Sequence, residues 1–256
     1  MTDNTELAQR EYDVKGYSLA VQFAQYALAR DPDDAAAMTT LGRSLLKLGD
    51  VSSGVDALER SALIRPLCLD ARIELAIGYG TLQRTSLSRD LLMAVAVSDD
   101  VDTAALLKIA AGLEAIDEPR LAMEACRQAG RRSPETAEVH FQMGHYAGAC
   151  GHPVSVSEAL VRHAIDLDPD NLHYQIGLSS LLIRVERYRE AVSILDAVVP
   201  ERLDEVTCEC CLRRIANLFF DVDDVPRAKL CAARLSDLQV RPAVTSGSPR
   251  KETASS

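Results

Sequence analysis

Residues 35–68 read AAAMTTLGRSLLKLGDVSSGVDALERSALIRPLC. Two helix-forming stretches flank the turn signal Gly49-Asp50-Val51, and Pro66, which cannot continue a helix, closes the segment. The stretch predicts a helix hairpin with Leu41 and Gly42 in its seventh and eighth places and Gly54 in its twentieth. Counting outward by 34 residues, equivalent units open at Met1, Leu69, Thr103 and Ala137 without insertion. Two more follow, at Leu172 after one extra residue near Pro153 and at Glu209 after a short linker.

The seventh place of the seven units is always apolar: Leu7, Leu41, Leu75, Ile109, Met143, Leu178 and Ile215. The eighth is always small: Ala8, Gly42, Ala76, Ala110, Gly144, Ser179 and Ala216. So is the twentieth: Ala20, Gly54, Ser88, Ala122, Ser157, Ala191 and Ala228. A plain helical bundle needs hydrophobic periodicity but gives no reason for a small residue at a fixed stride; close approach of neighbouring helices does. Composition agrees with an all-α fold, since hydrophobic residues make up 47% of the chain but aromatics only 4%. The apolar mass is mostly Ala, Leu and Val.

Helix pairs of this length, with a Leu-small run in the first helix, an Ala-like residue in the second and a closing proline at Pro32, Pro66, Pro134 and Pro169, resemble the tetratricopeptide repeat. The resemblance implies a right-handed superhelical solenoid of about seven helix-turn-helix units over residues 1–240. The aromatic residue expected early in the first helix is replaced throughout, by Asn4, Met38, Arg72, Leu106, His140, Gln175 and Leu212, and the third unit closes on Asp100 in place of proline. Asp31, Ser133 and Asp168 stand beside the prolines as candidate caps of the next helices. The polar segment 241–256, with Gly247 and Pro249 and no apolar spacing, is expected to be a disordered tail.

A formal charge of -10 repels phosphate backbones and anionic headgroups, so nucleic acid and membranes are not expected partners. The segment from Met1 to Glu6 lacks the basic and apolar regions of a secretory signal, and seven irregularly spaced cysteines suit reduced thiols. A cytoplasmic protein is expected.

Catalysis finds no foothold. No phosphate-cradling loop, nucleophile elbow or metal-protease motif is legible, and no cofactor is expected. Cys208 and Cys211 are spaced to share a helical face, but zinc takes four ligands, no histidine follows His173, and only Cys231 stands downstream. The expectation is therefore buried thiols packing as small apolar groups, with no metal. Asp221-Val222-Asp223-Asp224 opens like a calcium loop but lacks its glycine and closing glutamate, and reads as a turn between helices.

The resemblance further implies that partners lie along the first helices of the units, at the second, fifth, ninth, twelfth and thirteenth places. Carried onto this chain, those places give an apolar centre of Ile73, Ile77, Leu107, Ala111, Phe141 and Ile176 between polar ends that include Arg43, Arg184, Arg213 and Asn217. The carboxylate clamp found in some proteins of this kind is not carried over: its places hold Thr5, Gln9, Thr40, Asp70 and Glu74, and two acids repel a ligand carboxylate. The sixth-place asparagine ladder of glycosyltransferase relatives is absent too. The expectation is a non-enzymatic adaptor, scaffold or chaperone-like protein that holds a peptide or helix of another protein. The alternative is a self-assembling solenoid that receives a second copy of itself.

Overall fold

A computed structural model describes residues 3–240. Among them are fourteen α-helices, one 3-10 helix and no strand. The expected tail, 241–256, lies outside the described residues. The chain divides into two compact units, Met1–Leu160 and Val161–Ser256.

The first unit holds four helix pairs: α1 (Asn4–Asp13) with α2 (Tyr17–Arg30), α3 (Ala35–Leu48) with α4 (Val51–Ile64), α5 (Leu69–Thr81) with α6 (Thr85–Ala96), and α7 (Thr103–Ala115) with α8 (Pro119–Arg132). Then come α9 (Ala137–Ala149) and the start of α10 (Val154–Leu167). Each pair also packs on the next through α2 and α3, α4 and α5, α6 and α7, α8 and α9, while α3 touches both α1 and α5. This is the stacking of an α-solenoid, in which every pair buries its apolar face against its neighbours. The core is continuous beneath α5 to α9, where Ile73, Leu92, Leu106, Ile109, Leu113 and Tyr146 are buried.

The small residues sit where helices touch most closely. A Cβ on Gly42 would stand 2.8 Å from the Gly54 carbonyl oxygen and 2.8 Å from Leu58 Cγ. One on Gly54 would meet the Gly42 carbonyl oxygen at 2.9 Å, so α3 and α4 meet backbone to backbone. Elsewhere Ala or Ser suffices: Ala8, Ala20, Ala76, Ser88, Ala110 and Ala122 are all buried.

Within every pair the turn is the same. The first helix ends on one residue of positive φ, at Lys15, Gly49, Gln83, Asp117, Gly151, Glu186 and Asp223. The following amide then reaches back five residues, Gly16 to the Glu11 carbonyl at 2.7 Å, Arg84 to Tyr79 at 2.8 Å, Arg187 to Leu182 at 3.0 Å. This Schellman closure satisfies carbonyls that the helix end leaves open. Five of these left-handed residues are not glycine, which is why only some turns were visible as glycine signals.

Between pairs the capping residues differ from those expected. Asp31 and Ser133 end the preceding helices in non-helical conformations, because a residue before proline is pushed away from the α region. The N-caps stand three residues on. Asp34 accepts from the Ala36 and Ala37 amides at 2.9 and 3.0 Å, and Asn171 accepts from His173 at 3.1 Å. Thr136 holds the equivalent place without a side-chain bond. Asp168 accepts instead from the Asn171 side chain at 2.9 Å.

The second unit contains the remainder of α10, then α11 (Leu172–Arg184), α12 (Tyr188–Leu195), the 3-10 helix η1 (Pro200–Glu205), α13 (Glu209–Asp221) and α14 (Val225–Val240). Here α12 is short, and the expected linker before Glu209 is structured. Its Leu203 and Val206 are buried, and Arg234 Nε donates to the Val206 carbonyl at 3.0 Å.

Candidate functional site

The surface formed by α1, α3, α5 and α7 begins as a chain of polar contacts. Thr40 Oγ1 donates to Gln9 Oε1 at 3.2 Å, and Arg43 Nε donates to Glu74 Oε2 at 2.7 Å. Both couple the ninth place of one unit to the sixth of the next. Around Glu74 the contacts multiply: Lys47 Nζ lies 3.0 Å and the Tyr12 hydroxyl 3.3 Å from its Oε1. The Arg43 guanidinium also lies 4.5 Å from the Tyr12 ring centroid. Burial and the Glu74 carboxylate push the Tyr12 phenol well above its ordinary range. One step further, Lys108 Nζ meets Asp70 Oδ1 at 2.8 Å; this contact holds the Asp70 carboxyl below its ordinary range despite partial burial.

Arg43 is therefore not a free rim charge. Its side chain and that of Glu74 are each only 16% exposed, and the two neutralise one another. The acids that rule out a carboxylate clamp, Asp70 and Glu74, are the residues that bind the cations of this face. The signal was available in sequence as polar partners at ninth and sixth places 31 residues apart, Gln9 with Thr40 and Arg43 with Glu74. In the next two steps the ninth place turns apolar, with Ile77 before Lys108 and Ala111 before Gln142.

There the polar chain gives way to an apolar strip. Ile77 is 38% exposed and Ala111 and Ala115 are exposed, while Leu107 and Phe141 are partly buried. Ile77 lies across α7: a Cβ on Gly112 would stand 3.2 Å from its Cγ1. Ile73 departs from expectation. At 1% exposure it belongs to the core, because α5 packs against α3 and α7 on both sides and its fifth-place side chain is enclosed. Beyond the strip, Glu114 accepts from the Tyr146 hydroxyl at 3.2 Å and lies 2.6 Å from His145 Nε2. The His145 contact keeps the Glu114 carboxyl below its ordinary range.

In the second unit Ile176 is 2% exposed and forms part of the wall of a hollow of about 620 Å³ shared with Asn171, His173, Arg202 and Glu205. Arg184, Arg213 and Asn217 are exposed. Ile73 and Ile176 thus offer almost no surface to a partner, and the first unit brings together Ile77, Leu107 and Ala111. An apolar hollow of about 470 Å³, lined by Met123, Met143, Val156 and Leu160, falls on none of the expected lining places.

No protein-family model matches the chain, and the search of curated proteins gave no match. Solved structures do match. MamA of AMB-1 is 20% identical, with a TM-score of 0.57 over 66% of this chain and 100% of that one. MamA from Desulfovibrio magneticus RS-1, residues 41 to the end, is 17% identical, with a TM-score of 0.57 over 67% of this chain and 99% of that one. YrrB, described as a TPR protein with an unusual peptide-binding site, is 18% identical, with a TM-score of 0.56 over 67% of this chain and 88% of that one. At these identities the likeness is one of fold. The chain has the tetratricopeptide-repeat fold, an all-α solenoid of helix pairs.

Proposed function

We propose that this protein is a non-catalytic interaction scaffold, adaptor or chaperone-like, whose first unit receives an apolar peptide or helix of another protein along α5 and α7. The observation that carries the reading is the change along one face. Charges on α3 and α5 satisfy one another, whereas Ile77 and Ala111 remain at the surface. Small side chains let a partner backbone approach, and Ile77 supplies an anchor at about 25 cal/mol per Å² of apolar area covered. The peptide-binding site named for YrrB supports the reading by analogy of fold. All seven cysteines are free thiols, in keeping with the proposed cytoplasmic setting. No helix among the described residues is long and apolar enough to cross a membrane.

A photo-crosslinking residue at position 111 of the full chain should capture a partner that the same residue at position 63, on exposed α4 surface, does not. Ala111→Glu should then weaken that complex at least tenfold, since it places an unpaired charge in the apolar contact. Unchanged affinity, combined with loss on replacing Arg184 and Arg213, would replace the apolar partner with an acidic one. Analytical ultracentrifugation of the chain alone separates both from self-assembly, in which the captured partner is a second copy.

A further inference from the structure

The seven cysteines fall into different environments. Cys126 and Cys231 are fully buried, and burial pushes their thiols up to about 12 and about 11. They behave as the small apolar groups expected of cysteine in a core. The same is expected from sequence of Cys208 and Cys211, and there the structure differs. Cys208 and Cys211 are half-buried and Cys210 is exposed, so core packing does not explain their grouping. The sulfurs nevertheless converge: Cys208 Sγ lies 3.1 Å from Cys210 Sγ and 3.0 Å from Cys211 Sγ, and all three are within 4.8 Å of one another.

Local structure builds this convergence. Cys208 is the N-cap of α13, with extended backbone, so its side chain folds back over the first turn and accepts the Cys211 amide at 3.4 Å. Cys210 and Cys211 stand in that first turn. The helix N-terminus favours negative charge, and Arg214, one turn on, brings Nη1 to 4.0 Å from Cys210 Sγ while donating to Ser180 Oγ at 2.9 Å. A negative charge on this group is thus offset by both backbone and side chain.

We propose that Cys208, Cys210 and Cys211 form a three-thiolate site for a soft monovalent metal ion, of which copper(I) is the chemical type. Thiolates about 2.3 Å from a shared metal centre stand roughly 4 Å apart in a trigonal arrangement, so modest side-chain rotations bring these sulfurs into place. The donor set selects the ion. Thiolates prefer soft metals, and structural zinc takes four protein ligands, whereas among the described residues no fourth histidine, cysteine or carboxylate joins this group. Cys231, the further ligand considered from sequence, is not a member.

The test uses the reduced full-length chain under anaerobic conditions, titrated with copper(I) against a chromogenic copper(I) chelator. One equivalent should be withdrawn from the chelator, with thiolate-to-metal charge-transfer absorption appearing in step. Cys208→Ser and Cys210→Ser should each weaken retention at least tenfold. Serine is a good N-cap and position 210 is exposed, so helicity measured by circular dichroism should persist in both. Cys68→Ser, an exposed cysteine outside the group, should bind as the parent does. Parent-like copper retention by the Cys208→Ser, Cys210→Ser and Cys211→Ser triple variant would overturn the assignment. Displacement of copper by an equal concentration of zinc would overturn its three-coordinate character.

Discussion

Two neighbouring stretches of the first unit's helix face are held together differently. Across α1, α3 and α5, contact is made by polar side chains: Tyr12, Arg43 and Lys47 converge on Glu74. Across α5 and α7, apart from the Lys108–Asp70 pair, small and apolar residues make the contact: Ala76 and Ala110 are buried, and Ile77 and Ala111 lie at the surface. The repeat geometry is shared, so the difference lies in the residues placed on it. Charge on this surface is structural where it is dense. The first stretch should therefore be sensitive to loss of charge and the second to gain of size.

The largest effect is expected beneath the apolar strip. Ala110→Phe should overpack the α7 contacts and cost roughly 1 to 3 kcal/mol in denaturant unfolding, because Ala110 is buried in the core. Phenylalanine at Ala111, one residue on but exposed, should change stability by less than about 0.5 kcal/mol. Equal costs at the two positions would mean that the strip is not surface.

In the polar stretch, Glu74→Ala leaves Arg43 and Lys47 without their shared acceptor and should cost about 2 kcal/mol, as for a hydrogen bond to a charged group. The partly exposed setting keeps this below the cost of breaking a fully buried pair. A double-mutant cycle with Arg43→Met should return a coupling above about 1 kcal/mol; additive losses would show that the pair is incidental.

The turns sharpen the comparison from the other side, since both stretches share them. Lys15→Gly should stabilise by about 0.5 to 1 kcal/mol, because lysine at φ 63° bears a strain that glycine does not. Asp117→Gly, at the same φ of 63°, should gain less, since aspartate tolerates this conformation better. A loss at Lys15 would mean that its side chain makes a compensating contact.

The smallest effect is with acid. The Asp70 carboxyl titrates below its unfolded value because Lys108 bonds its charged form. Its contribution is therefore fully present above the ordinary carboxylate range and disappears as pH falls through the lowered folded value. Lys108→Met should remove that part of the acid sensitivity, and screening by salt should reduce it, since both groups are partly exposed.

The sequence alone was enough for the helix pairs and the seam between them. Helix-forming runs, closing prolines and small residues at the eighth and twentieth places are local or strictly periodic, and Gly42 against Gly54 shows why the small residues recur. The polar contacts were half legible: Arg43 and Glu74 were both visible, but their pairing 31 residues apart depends on how one helix pair rises on the next. Only the tertiary structure decided that Ile73 is core while Ile77 is surface, because enclosure by α3 and α7 belongs to the stack and not to α5. It also decided that Cys208, Cys210 and Cys211 converge away from the core. Spacing along a helix fixes which side chains share a face, but whether that face is covered depends on neighbours whose approach no single helix encodes.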